Sequence, residues 1–225
     1  MERETQHRSE EREVRISAGA IELEGNLGVV EGAEGVVLFA HGSGSGRSSP
    51  RNLYVAGVLR QAGLSTLLID LLTAEEEAVD LRTGHLRFDI GLLAERLVGA
   101  TGWLRNDPGT QNLRIGYFGA STGAGAALVA AAERPDEVCA VVARGGRPDL
   151  AGEALSRVEA PTLLIVGGSD VPVIGMNEEA LERMHVEKRL EIIPRATHLF
   201  EEAGALEDVA RLATSWFRRY LHPSG

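Results

Sequence analysis

The sequence holds one cysteine, Cys139, and one lysine, Lys188, and aromatic side chains fill only 4% of its 225 positions. A lone cysteine excludes an internal disulfide and a cysteine-rich metal site. Its setting, Val138-Cys139-Ala140-Val141-Val142, marks it as a small buried hydrophobe. No stretch approaches the roughly 18 consecutive apolar residues that a spanning helix requires. Met1 to Arg15 is crowded with Glu and Arg and has no apolar centre, so it reads as neither a signal peptide nor a membrane span, and a cytoplasmic location is expected. The formal net charge is −10, and no basic patch is clustered enough to gain from counterion release, so neither nucleic acid nor a membrane is expected as a partner. Repeats, low-complexity tracts and linkers are absent. Residues 1–12 therefore read as a charged leader and 13–222 as one domain.

What is present has the pattern of a parallel sheet. Val14-Arg15-Ile16 and Ile21-Glu22-Leu23-Glu24 alternate apolar and polar residues, as an antiparallel pair with one wet face does. The later runs Val36 to Ala40, Leu67 to Ile69, Ile115 to Phe118, Val138 to Ala143 and Leu163 to Val166 are continuously apolar, as strands covered on both faces are. Helical stripes separate them. Ser49-Pro50 opens one, with Val55, Val58, Leu59 and Ala62 at helical spacing until Gly63. Ile90, Leu93, Leu97, Ala100 and Leu104 form a second, ended by Asp107-Pro108-Gly109. Gly123 to Glu133, almost all alanine, is a third, and Leu206 to Tyr220 closes the chain. The alternation predicts a single-domain α/β fold: a mostly parallel sheet with an antiparallel N-terminal pair and helices on both faces. Leu72 to Leu86, with Glu75-Glu76-Glu77, is irregular and reads as a surface loop or short helix beside the site. Ligands of such sheets bind at the carboxyl ends of the strands.

Three of those ends carry a hydrolytic constellation. Gly119-Ala120-Ser121-Thr122-Gly123 joins a strand to a helix, and a G-x-S-x-G turn of this kind lifts a strained serine above the sheet edge at a helix N-terminus. A serine hydroxyl needs a base, and in this architecture an acid and then a histidine follow it in the chain. Asp170 ends Leu163-Leu164-Ile165-Val166-Gly167-Gly168-Ser169-Asp170, and His198 follows the strand Leu190 to Ile193. Asp149, after the preceding strand, is the rival acid, or else a helix cap. His41 precedes the serine, and its expected part is to hold the loop Gly42 to Gly46 by hydrogen bonds. That loop is where the second oxyanion donor is needed, and the backbone N–H of Ser43, with that of Thr122, is the expected pair. Arg144 and Arg147 follow the strand ending near Ala143, where a guanidinium would hold a substrate carboxylate or pair with local acids.

With AHGSGSG (40–46), GASTG (119–123), VGGSD (166–170) and ATHLF (196–200), the chain resembles the α/β-hydrolases over nearly its whole length, and most of all the dienelactone-hydrolase-like branch. The resemblance implies acyl-enzyme chemistry on a small-molecule ester, thioester or lactone, with no cofactor and no metal. The elbow of that branch's namesake carries cysteine where Ser121 stands, so its lactone substrate does not carry over. Acyl transfer or perhydrolysis would use the same groups. Two other classes compete. An NAD(P)-dependent oxidoreductase would use Gly119-x-x-x-Gly123-x-Gly125, or Gly42-x-Gly44 with Asp70. These glycines lie mid-chain, however, and no tyrosine stands four residues before Lys188. A binding protein on a degenerate hydrolase fold would be expected to lack a triad member, and none is missing.

Overall fold

The computed structural model describes residues 8–222, so His7 and the start of the expected leader lie outside the described residues. Within them eight strands form one sheet: β1 (Ser9–Ala18), β2 (Ile21–Val30), β3 (Gly35–Ala40), β4 (Ser65–Ile69), β5 (Arg114–Ala120), β6 (Val138–Arg144), β7 (Thr162–Gly167) and β8 (Lys188–Ile193). Their order is β1-β2-β4-β3-β5-β6-β7-β8. The β1/β2 and β2/β4 pairs are antiparallel and the others parallel. The helices are α1 (Pro50–Gln61), α2 (Ala74–Thr83), α3 (Ile90–Asn106), α4 (Thr122–Glu133), α5 (Val171–Arg183) and α6 (Ala205–Leu221). Shorter helical turns cover Leu86–Phe88 and Pro148–Arg157, the second kinked at Gly152.

The period of two along each strand divides the apolar runs between two faces. Val36, Leu38, Ile115 and Tyr117 join α3 and α4 in one layer, while Val37, Phe39 and Phe118 join α1 and α6 in the other. Both faces are dry, which is why the central strands carry no polar alternation. Phe39 pairs with Phe118 across β3 and β5, their ring centroids 4.9 Å apart. Helix α4 is built of small residues and is buried nearly all round, lying between the sheet, α3 and the turns at Pro148–Arg157.

The edges differ from the centre. β1 starts at Ser9, so Ser9 to Arg12 of the segment expected as a leader pair with β2. Its exposed stretch Glu10-Glu11-Arg12-Glu13, and Lys188, Arg189 and Glu191 on β8, put charge on both outer strands, which discourages further strand pairing. The irregular stretch resolves into α2, nucleated by a reciprocal cap: Thr73 accepts from the Glu76 N–H while the Glu76 carboxylate accepts from the Thr73 N–H. Cys139 is only partly buried, because alternate positions of β6 reach the margin of the α6 layer. Among the described residues no helix is long and apolar enough to cross a membrane.

One polar pair sits inside the α3 layer. The Thr101 hydroxyl donates to the Leu97 carbonyl at 2.9 Å, which leaves its lone pair for the Tyr117 hydroxyl 2.5 Å away. Burial pushes the Tyr117 phenol up, so it stays protonated and donates. Tyr117→Phe removes that bond and leaves Thr101 still bonded to Leu97. It should lower unfolding stability by about 1 kcal/mol in urea titrations, without loss of the native fold.

Candidate active site

β3, β5, β6, β7 and β8 run parallel and end on one edge, so the segments after Ala40, Ala120, Arg144, Gly167 and Ile193 meet there. Ser121 stands between β5 and α4 with φ +50° and ψ −122°, a conformation that L-residues adopt only when their surroundings force it. The forcing contacts are steric. A Cβ on Gly119 would lie 2.5 Å from the Ala124 Cα, and one on Gly123 would lie 2.3 Å from the Ala40 carbonyl oxygen. Helix α4 is thereby drawn against the ends of β5 and β3, and the chain must turn within Ser121. The Ser121 N–H is held by the Arg144 carbonyl at 3.2 Å, and its own carbonyl accepts from the Arg147 N–H at 3.0 Å.

The expected acid and base meet. His198 Nδ1 lies 2.7 Å from Asp170 Oδ2, and Asp170 is the more buried of the two. Backbone bonds lace their loops together: Gly168 N–H to Ile193 O at 2.8 Å and Ser169 N–H to Ala196 O at 2.9 Å. Gly145, at φ +51°, passes beneath His198; a Cβ there would lie 3.5 Å from its Cε1 and 3.1 Å from its carbonyl oxygen. His198 therefore lies over the residue that follows Arg144, while the Arg144 carbonyl holds the Ser121 N–H.

The rival groups are engaged elsewhere. Asp149 takes the Arg147 guanidinium through two bonds of 2.8 and 2.7 Å, and that bond raises the Arg147 pKa. Arg147 is thus paired with a local acid, one of the two outcomes expected of it. Asp70 accepts the Arg47 N–H at 2.7 Å and the Arg47 guanidinium at 3.0 Å, so its carboxylate is not held open for a ribose. Two further histidines are also engaged away from the serine, His85 with Thr83 and His222 with Glu34.

On the other flank, His41 acts as a strut. Its Nε2 accepts the Leu71 N–H at 2.9 Å, so Nδ1 carries the proton and donates to the Gly42 carbonyl at 2.9 Å. The Ser43 N–H donates to the Thr122 hydroxyl at 3.0 Å. The Thr122 N–H lies in the first turn of α4, where no intrahelical acceptor exists. Beyond this point a cleft is bounded by Ser43, Thr122, Leu72, Leu81 and Arg87. Arg87 is anchored by the buried Asp80, which also accepts the Leu86 and Arg87 N–H groups. The sequence set this stretch beside the site as a loop or short helix, and Thr73-x-x-Glu76 is the signal that starts that helix.

The comparisons with known proteins agree with this architecture. The model of the dienelactone hydrolase family matches residues 71–221, which include Ser121, Asp170 and His198 and leave out Ser43. The chain belongs to the dienelactone hydrolase family. The crystal structure of dienelactone hydrolase from Anabaena variabilis ATCC 29413 is similar to it at 69% identity over 96% of this chain and 100% of that one, with a TM-score of 0.94. A dienelactone hydrolase-like promiscuous phosphotriesterase from metagenomic libraries shares the fold, with a TM-score of 0.78 at 19% identity over 95% of this chain and 99% of that one. Curated relatives from two strains of Mycobacterium tuberculosis, provisionally named phosphoribosyl transferases, are 56% identical over 216 residues. The match covers 95% of this chain and 48% of theirs, so the chain spans about half the length of those relatives.

Burial lowers the His41 pKa, outweighing its bond to Gly42, and the folded state therefore favours the neutral ring. A lowered folded-state value means that the unfolded chain binds the proton first. The stability that His41 contributes is present above pH ~6.5 and is lost as the pH falls through the folded-state value. His41→Asn should flatten the acid side of the stability–pH curve in denaturant titrations, whereas an unchanged acid slope would show that this strut does not control it.

Proposed function

We propose that the protein is a serine hydrolase that cleaves a small ester, thioester or lactone through an acyl-enzyme. Ser121 is the nucleophile, His198 the base and Asp170 the acid that orients it. The observation that carries this reading is the strained Ser121 at the same sheet edge as a histidine whose Nδ1 is 2.7 Å from a carboxylate. With Nδ1–H given to Asp170, Nε2 is free to take the Ser121 proton as Oγ bonds to the acyl carbon. The same proton returns to the leaving group when the tetrahedral adduct collapses. Water then repeats the sequence on the acyl-enzyme and frees Ser121. Asp170 fixes the imidazole tautomer and stabilises the imidazolium between the two transfers.

The oxyanion is taken by the Ser43 and Thr122 N–H groups. The Thr122 N–H is an orphan donor of the helix terminus, while the Ser43 N–H exchanges the Thr122 hydroxyl for the substrate oxygen. Each such donor contributes about 2.7–4 kcal/mol of transition-state stabilisation. The His41 strut matters because it sets the height of Gly42, the residue before this donor. Hydrolysis, acyl transfer and perhydrolysis share every step up to the acceptor.

Hydrolysis of p-nitrophenyl acetate tests the assignment. Ser121→Ala should lower kcat by about 10⁴–10⁶-fold with the fold intact, and His198→Ala should lower it by a similar factor. Retention of a tenth or more of the activity by either variant would contradict the roles given to these two residues.

A further inference from the structure

In the acyl-enzyme reading, the carbon bonded to Ser121 Oγ carries an oxyanion, a leaving group and an acyl chain. The oxyanion faces the Ser43 and Thr122 N–H groups, and the leaving group must lie toward His198, which returns the proton to it. The sheet order separates these from what remains. Asp170 and His198 follow β7 and β8, on one side of β5, whereas the loop after β3 and the segment after β4 lie on the other. Those two segments enclose the cleft bounded by Ser43, Thr122, Leu72 and Leu81. The Gly42 backbone lines it and packs closely on the nucleophile: a Cβ there would lie 2.9 Å from the Ser121 Cβ.

What the cleft offers a ligand depends on which of its polar groups are already engaged. The His41 ring is bonded at both nitrogens, to the Leu71 N–H and the Gly42 carbonyl. Asp70 holds the Arg47 N–H and guanidinium, and the Asp80 carboxylate takes the Arg87 Nε while its carbonyl takes Nη2. Each of these two acids is thus offset by one arginine. Glu77, exposed in the first turn of α2, pairs with no cation among the described residues, and its charge reaches His41. The lining is therefore net negative, which opposes an anionic chain. The rest of it is apolar. Leu93 lines it from α3 and is only 3% exposed, Leu72 is partly buried, and Leu81 is 74% exposed. A leucine so exposed packs on little of its own fold, and its side chain is free to pack against a ligand.

We infer that this cleft receives the acyl part of the substrate and selects an uncharged, apolar chain. Leu72 and Leu81 hold the chain, and Glu77 turns away a terminal carboxylate. The word acyl rests on the hydrolase reading; the preference for a neutral apolar group rests on the lining alone. Each methylene that enters the cleft leaves water, and its full burial strengthens binding about fourfold.

Two experiments separate the parts. With wild-type protein, and after subtraction of the uncatalysed rate, kcat/KM for 4-nitrophenyl valerate should exceed that for the acetate about tenfold or more. It should exceed that for 4-nitrophenyl hemisuccinate, a charged ester of nearly the same size, by a similar factor. Leu81→Ser should lower the valerate-to-acetate ratio about threefold or more, and Glu77→Lys should raise the hemisuccinate-to-valerate ratio about threefold or more. Both side chains are exposed, so neither change endangers the fold. For binding without turnover, Ser121→Ala protein with isotope-labelled leucine methyl groups is titrated by NMR with valeramide and with succinamate. Valeramide should shift the Leu72 and Leu81 signals, the second identified by its loss in Leu81→Ser, and succinamate at equal concentration should shift them less. An unchanged valerate-to-acetate ratio in Leu81→Ser, a wild-type preference for the hemisuccinate over the valerate, or leucine signals unmoved by valeramide would overturn the proposal. Absence of hydrolysis with all these esters would overturn the hydrolase reading alone, since the titration still decides whether the cleft holds a neutral apolar chain.

Discussion

Helix α4 comes so near the end of β3 that no side chain fits at position 123, where a Cβ would lie 2.3 Å from the Ala40 carbonyl oxygen. Much of the site follows from that approach. It forces the turn from β5 into α4 through one residue, and that residue, Ser121, is left at φ +50°. It brings the Thr122 hydroxyl within reach of the Ser43 N–H and so ties the loop after β3 to the start of α4. The strain is sustained because the surrounding sheet is dry on both faces and leaves the backbone no alternative path.

The meeting of Asp170 and His198 is set by a second, gentler constraint. The loops after β7 and β8 are joined by backbone hydrogen bonds, so Asp170 and His198 reach each other without depending on long side chains alone. Acids elsewhere are spent on structure: Asp80 anchors Arg87, Asp70 anchors Arg47 and Asp149 anchors Arg147. Arg144, buried against the Phe200 ring, has no carboxylate partner among the described residues.

Much of this was legible in the sequence. The continuous apolar runs identified the inner strands, because burial on both faces removes the polar alternation. The run Gly119 to Gly123 identified the elbow, because small residues there have a steric cause. Ser49-Pro50 and Asp107-Pro108-Gly109 marked helix ends that the structure keeps at Pro50 and Asn106. The sequence was less informative where structure depends on partners distant in the chain. Ser9 to Arg12 look like a solvated leader, yet they are strand because β2 offers them a backbone ladder. Leu72 to Leu86 has no apolar stripe, and α2 holds through its cap and the Asp80–Arg87 pair.

Family membership and fold agree with a hydrolase, and the Anabaena structure extends that agreement over nearly the full chain. The transferase name of the Mycobacterium tuberculosis relatives belongs to proteins about half of which this chain matches, so it describes a longer molecule. The central claim is that Ser121 is the group that becomes covalently modified. Peptide mapping by mass spectrometry, after reaction with a fluorophosphonate, tests it most directly. The account predicts a single phosphonyl adduct on the peptide that contains Ser121; an adduct on another residue, or none on a protein that still hydrolyses esters, would contradict it.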